Sequence, residues 1–180
     1  MRQAYENGDE ALVRKRTEEV INSIVGDQSD LYLDYDKSGA IDDPGDGYGS
    51  LPNGDRLGYL QGTALHAKYA ADAVDSTANI RLYSDNLQLC IQNMSAWTNQ
   101  LLPLAQELDQ TSFGPEMDPI ITEMSVLAKN LVVGVDINNN GRTSDVLVGE
   151  CGADAAYENA YSMADMLVFP GKDRTPPPGK

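Results

Sequence analysis

Two short stretches carry side chains whose type and spacing suit the capture of a hard cation. Leu33–Asp43 reads LDYDKSGAIDD, and Val135–Asp145 reads VDINNNGRTSD. In each, alternate residues bear oxygen and a glycine follows: Asp34, Asp36, Ser38 and Gly39 in loop one, Asp136, Asn138, Asn140 and Gly141 in loop two. A Ca²⁺ ion takes about six to eight oxygens in a flexible shell, and alternating side chains with a sharp reversal at glycine supply several of them locally. The residue after each glycine, Ala40 or Arg142, would lend its backbone carbonyl. Asp42 in loop one and Ser144 in loop two stand where a further ligand would bind directly or through water.

DYDKSG and DINNNG resemble the first half of an EF-hand or dockerin-type calcium loop. The resemblance spans only these short segments and none of the surrounding chain. It implies an acidic residue at the twelfth loop position to close the shell, but Gly45 and Leu147 stand there. Later acids offer substitutes: Asp43 or Asp46 in loop one, and Asp145 or Glu150 in loop two. Loop one is the more acidic, with Asp34, Asp36, Asp42, Asp43 and Asp46 against Lys37, whereas loop two relies on neutral asparagines beside Arg142. Two Ca²⁺ sites are expected, with the tighter at loop one.

The bulk charge agrees with cation binding. The 180-residue chain has a formal net charge of −15. That excess argues against nucleic acid and anionic membrane surfaces, both of which need Lys and Arg, and it favours bound cations that offset carboxylate repulsion. Other chemistries find little footing. His66 is the only histidine, with no Cys or acidic partners evident for zinc. No G-x-S-x-G motif occurs. GDGYGSLPNG is rich in glycine but lacks the lysine of a phosphate loop. Glycosidase carboxylates would need an aromatic cleft, and the single Trp, Trp97, lies on an apolar helix stripe. The cysteines Cys90 and Cys151 match no zinc spacing. They pair in an oxidising compartment or stay as two buried thiols.

Hydrophobic periodicity supplies the scaffold. Asp9–Val25 has Leu12, Val13, Val20, Ile21 and Ile24 at helical intervals, with charges on the other face, and Gly26 ends it. Residues 27–57 form a long Asp/Gly/Pro/Ser-rich connection, which a cation would hold together. Leu57–Val74 is a second helix with an alanine stripe. From Asn79 to about Leu108 a heptad rhythm places Ile80, Leu87, Met94, Leu101 and Leu108 in one series and Tyr83, Cys90, Trp97 and Leu104 in another, the central helix of a bundle. Pro103 predicts a kink or break near Leu102. Further helices are expected over Pro119–Val133 and Ala153–Val168.

The order helix, oxygen-rich loop, Ala-rich helix thus occurs twice. Ala67, Ala71 and Asp72 can be laid on Ala160, Ala164 and Asp165, which suggests an internal duplication of about 9–74 and 119–168 around helix 79–109. Residues 169–180 read as a Pro-rich tail or linker. No apolar run nears the roughly 18 residues of a membrane span, and MRQAYENGDEALVRKR has no signal-peptide core. The expectation is an all-α bundle of four to five helices in one domain, 1–168, with two helix–metal loop–helix units. Its expected role is a calcium-binding, non-catalytic structural or interaction module. It would belong to a secreted or cell-surface protein of bacterial type and meet another protein or other domains of its own chain. The alternatives are a soluble calcium sensor or buffer that repacks its helices, and an enzyme with an unrecognised site; the alternative location is the cytoplasm.

Overall fold

The computed structural model describes residues 1–165, and among these the fold is all-helical. Six helices are present: α1 Arg2–Glu6, α2 Glu10–Val25, α3 Gly58–Asp72, α4 Ala78–Gln110, α5 Met117–Val133 and α6 Ala153–Met163. An isolated bridge between Asn53 and Arg56 is the only extended pairing among the described residues.

The fold is organised by α4. Its 33 residues span about 50 Å at ~1.5 Å per residue, and α2, α3, α5 and α6 all pack on it. No single neighbour is long enough to cover it, so it threads two cores. The larger core gathers Val13, Ile21 and Ile24 of α2, Trp97, Leu101 and Leu108 of α4, and Ile121 and Met124 of α5. The smaller gathers Leu60 and Ala67 of α3, Leu87, Cys90 and Ile91 of α4, and Ala155 and Ala156 of α6. Leu51 and Met94 touch both. Trp97 is therefore a core residue, as its heptad position requires.

Local chemistry sets the helix ends. Asp9 caps α2 by accepting the Leu12 N–H at 3.0 Å, and Thr77 caps α4 through Ile80 N–H at 3.2 Å. At the far end of α4, Arg14 donates to the carbonyls of Leu108, Asp109 and Thr111 at 2.9, 2.7 and 2.7 Å. These are carbonyls that a helix C-terminus leaves unpaired, and a cation is favourable there.

Three expectations need correction. The expected break at Pro103 is absent, and α4 runs through it. Pro103 and Asn99 are both exposed, so the ring lies on the outer side of α4 while buried residues on either side hold the helix. The bundle also has a helix more than the expected four to five. In α1, Ala4 is buried, Arg2 pairs with Asp118, and the Tyr5 hydroxyl donates to Gly114 O at 3.2 Å. Finally, α3 stops at Asp72, short of Val74, which is fully exposed and so adds no burial to extend it. Residues 166–168 of the last expected helix, and the expected tail over 169–180, lie outside the described residues.

The candidate cation loops

The connection from α2 to α3 is held by its own side chains. Asp27 N–H donates to Gly47 O at 2.7 Å, Arg56 bonds Asp27 Oδ1 at 2.5 Å and Gly47 O at 2.9 Å, and buried Asn53 donates to the carbonyls of Tyr48 and Leu51 at 2.8 and 3.1 Å. These bonds tie the connection back onto the end of α2 and leave loop one projecting beside that helix.

Loops one and two adopt the same local geometry. Asp34 accepts the N–H groups of Ser38 and Gly39 at 3.0 and 2.8 Å. Asp136 accepts those of Asn140 and Gly141 at 3.0 and 2.8 Å. Asp36 Oδ1 bonds Ser38 N–H at 2.8 Å, as Asn138 Oδ1 bonds Asn140 N–H at 3.0 Å. Lys37 and Asn139 take φ of 59° and 57°, and Gly39 and Gly141 take 91° and 81°. Such left-handed values suit glycine and asparagine and strain lysine. In neither case does a helix follow directly: Gly45 and Leu147, at the twelfth positions, are both outside helices.

Loop one rests on a residue absent from its sequence pattern. Glu18 of α2 is fully buried, although it stands among the charges of that helix's other face. Its Oε1 accepts Asp42 N–H at 2.6 Å and its Oε2 accepts Asp36 N–H at 2.9 Å. One turn on, buried Asn22 bonds the N–H and C=O of Leu33 at 3.2 and 3.0 Å and the carbonyl of Asp42 at 3.0 Å. The two side chains grip both ends of the loop. Oxygens of Glu18, Asp34 and Asp36 all lie within 4.8 Å of one another, the only group of three or more His, Cys, Asp or Glu so placed among the described residues.

The other acids expected at loop one turn to other partners. Asp42 pairs with Lys15 Nζ at 2.6 Å and holds that ammonium's pKa up. Asp43 accepts from Gly45 N–H, the Tyr32 hydroxyl and the Ser23 hydroxyl at 2.8, 3.2 and 3.3 Å. Asp46 accepts from the Tyr59 hydroxyl at 2.5 Å and Tyr48 N–H at 3.0 Å, which lowers its pKa. Burial pushes the Asp36 carboxyl up, but the bonds from Ser38, the neighbouring Asp34 and the Lys15 charge outweigh it and leave the pKa below the ordinary value. The Ser38 hydroxyl donates to Ala40 O at 3.1 Å, so the carbonyl expected to lend itself to an ion already accepts from a loop hydroxyl.

In loop two, Asp145 accepts from the side-chain amides of Asn140 and Asn138 at 2.6 and 3.2 Å, and these bonds lower its pKa. Arg142 reaches the same carboxylate at 3.6 Å. Ser144 is exposed. Glu150 is fully buried, and among the described residues neither carboxylate oxygen meets a hydrogen-bond donor.

The closing end of loop two is bolted to α4. Cys90 and Cys151 form a disulfide, with Cα atoms 5.1 Å apart. Buried Asn93 donates to Leu147 O and Cys151 O at 2.9 and 3.3 Å and accepts Gly149 N–H at 2.7 Å. The loop's opening end is equally close: a Cβ on Gly134 would sit 2.2 Å from Glu150 O and 2.6 Å from Thr143 O, so no larger residue fits where the chain leaves α5. His66 stays exposed on α3, in no such ligand group.

Glu18, Asn22 and Asn93 were not legible as site residues. Each sits on a helix at a position that reads as ordinary surface or core until the loops fold back over it. Comparison with protein-family models, curated proteins and solved structures found no match to this chain.

Proposed function

We propose that this chain is a calcium-binding, non-catalytic helical module in which the ion is chiefly structural. The observation that carries the reading is the meeting of Glu18, Asp34 and Asp36 within 4.8 Å. At an effective dielectric near 20, two charges at that separation repel by about 3 kcal/mol. Backbone N–H groups of Asp36, Ser38 and Gly39 offset part of this, and a divalent cation among the oxygens would offset far more. Hard oxygen donors without thiolate or imidazole favour Ca²⁺ over transition metals. The matching geometry of loop two supports a second, weaker ion there and the proposed duplication.

The Cys90–Cys151 bridge favours an oxidising compartment, in keeping with a secreted or cell-surface protein. No helix among the described residues is long and apolar enough to cross a membrane. Its partners would be other proteins or neighbouring domains of the same chain. Exposed Val148, Tyr157 and Tyr161 offer apolar surface for such contacts.

Metal analysis of the purified protein and melting curves in Ca²⁺ and in EDTA test the reading. Bound calcium and a melting point that falls in EDTA are expected. A chain that retains no metal and melts identically in both would end it. The sensor alternative predicts increased dye binding to exposed apolar surface when calcium is added, whereas a structural ion leaves that signal unchanged.

A further inference from the structure

We propose that Glu150 closes the cation shell of loop two with both carboxylate oxygens. This rests on the cation-loop reading and decides which late acid completes the second site. Two observations carry it. First, Glu150 is fully buried and its oxygens have neither a hydrogen bond nor an ion pair among the described residues. A buried carboxylate in that condition lacks the partner that a cation would supply, because water no longer solvates its oxygens. By contrast, buried Glu18 accepts two backbone N–H groups. Second, Glu150 lies against the opening of loop two: its carbonyl takes the Val135 N–H at 2.8 Å, one residue before Asp136.

The competing acid is already engaged. Asp145 holds the Asn138 and Asn140 amides and faces Arg142, so it orients the loop's asparagines. The ligand set is then the Asp136 carboxylate, the Asn138 and Asn140 side-chain oxygens, the Arg142 carbonyl and Glu150. The Cys90–Cys151 bridge and the Asn93 bonds flank Glu150 and fix its backbone to α4. Closure of this site is therefore built into the smaller core, while the closure of loop one comes from α2.

The test is calcium titration calorimetry on the full chain and on Glu150→Gln, Asp136→Asn and Asp34→Asn variants, with circular dichroism as a check of fold. Wild type should bind two ions. Glu150→Gln and Asp136→Asn should each weaken the same, weaker site at least tenfold and spare the other, which Asp34→Asn removes. Retention of both sites in Glu150→Gln would overturn the assignment and leave the loop reading standing, as would a single ion lost only in Asp34→Asn. A wild type that binds no ion overturns both. Should Glu150→Gln not fold, Tb³⁺ luminescence decay in H₂O and D₂O on Asp34→Asn counts the waters on the remaining ion. Six protein oxygens leave about two or three waters on an eight- or nine-coordinate lanthanide; about four or more would exclude Glu150 from the shell.

Discussion

The carboxylate of Glu18 accepts the backbone N–H of Asp42 at 2.6 Å across 24 residues of chain. With its other oxygen on Asp36 N–H, this one side chain on α2 holds both ends of loop one and contributes to its acidic group. Glu18→Ala would leave two N–H groups without their acceptor and should destabilise the protein by about 2–4 kcal/mol. Glu18→Gln keeps one acceptor oxygen for the two N–H groups, puts an amide donor in place of the other, and removes the charge. Its melting point in EDTA should stay nearer the wild-type value than that of Glu18→Ala, while the gain from calcium shrinks. Melting curves of both variants with and without calcium measure this.

The loops should differ in affinity. Loop one gathers three carboxylates, whereas loop two uses uncharged asparagines and lies beside Arg142. Calorimetry on Asp34→Ala should show loss of the tighter phase, and Asp136→Ala loss of the weaker. Equal losses from the two variants would contradict the ranking.

Reduction of Cys90–Cys151 should cost about 4 kcal/mol by loop-closure entropy, since the bridge spans 61 residues. Urea unfolding with and without reductant gives the value. Mass mapping of unreduced peptides should recover the two cysteines linked.

Asp46 and Tyr59 make a pH-dependent clasp. The Tyr59 bond lowers the Asp46 pKa, and the same bond raises that of Tyr59. A lowered carboxylate contributes stability above its ordinary value of about 3.9 and loses it as pH falls through the folded value. A raised phenol contributes below about 10 and loses it as pH rises through its folded value. Tyr59→Phe should therefore move the Asp46 titration upward, as followed by NMR, and remove the alkaline arm.

Pro103 lies exposed inside continuous helix. Pro103→Ala restores a backbone donor and should raise stability by about 1–3 kcal/mol, below or at the intrinsic difference between the two residues. An unchanged denaturation midpoint would show that α4 already accommodates the ring without cost.

Five of the six helices among the described residues were legible because apolar residues recur with helical period, a signal any helix that buries one face must carry. The likeness of loops one and two was legible for a related reason: alternating oxygens and a glycine at a fixed offset are local chemistry, and the two segments fold alike. α1 was not legible, since five residues with one buried alanine make no period to detect. Pro103 ends no helix because it lies on the exposed side of α4, while buried residues on either side hold the helix together. Glu18 stood among the charges opposite the apolar stripe of α2, and only the return of residues 33–42 over the helix buried it. The pairing of Cys90 with Cys151 and the isolation of Glu150 arose in the same way. Composition and period are properties of neighbours along the chain, whereas burial and pairing depend on which distant segments meet, and here the packing of two cores along α4 decides that.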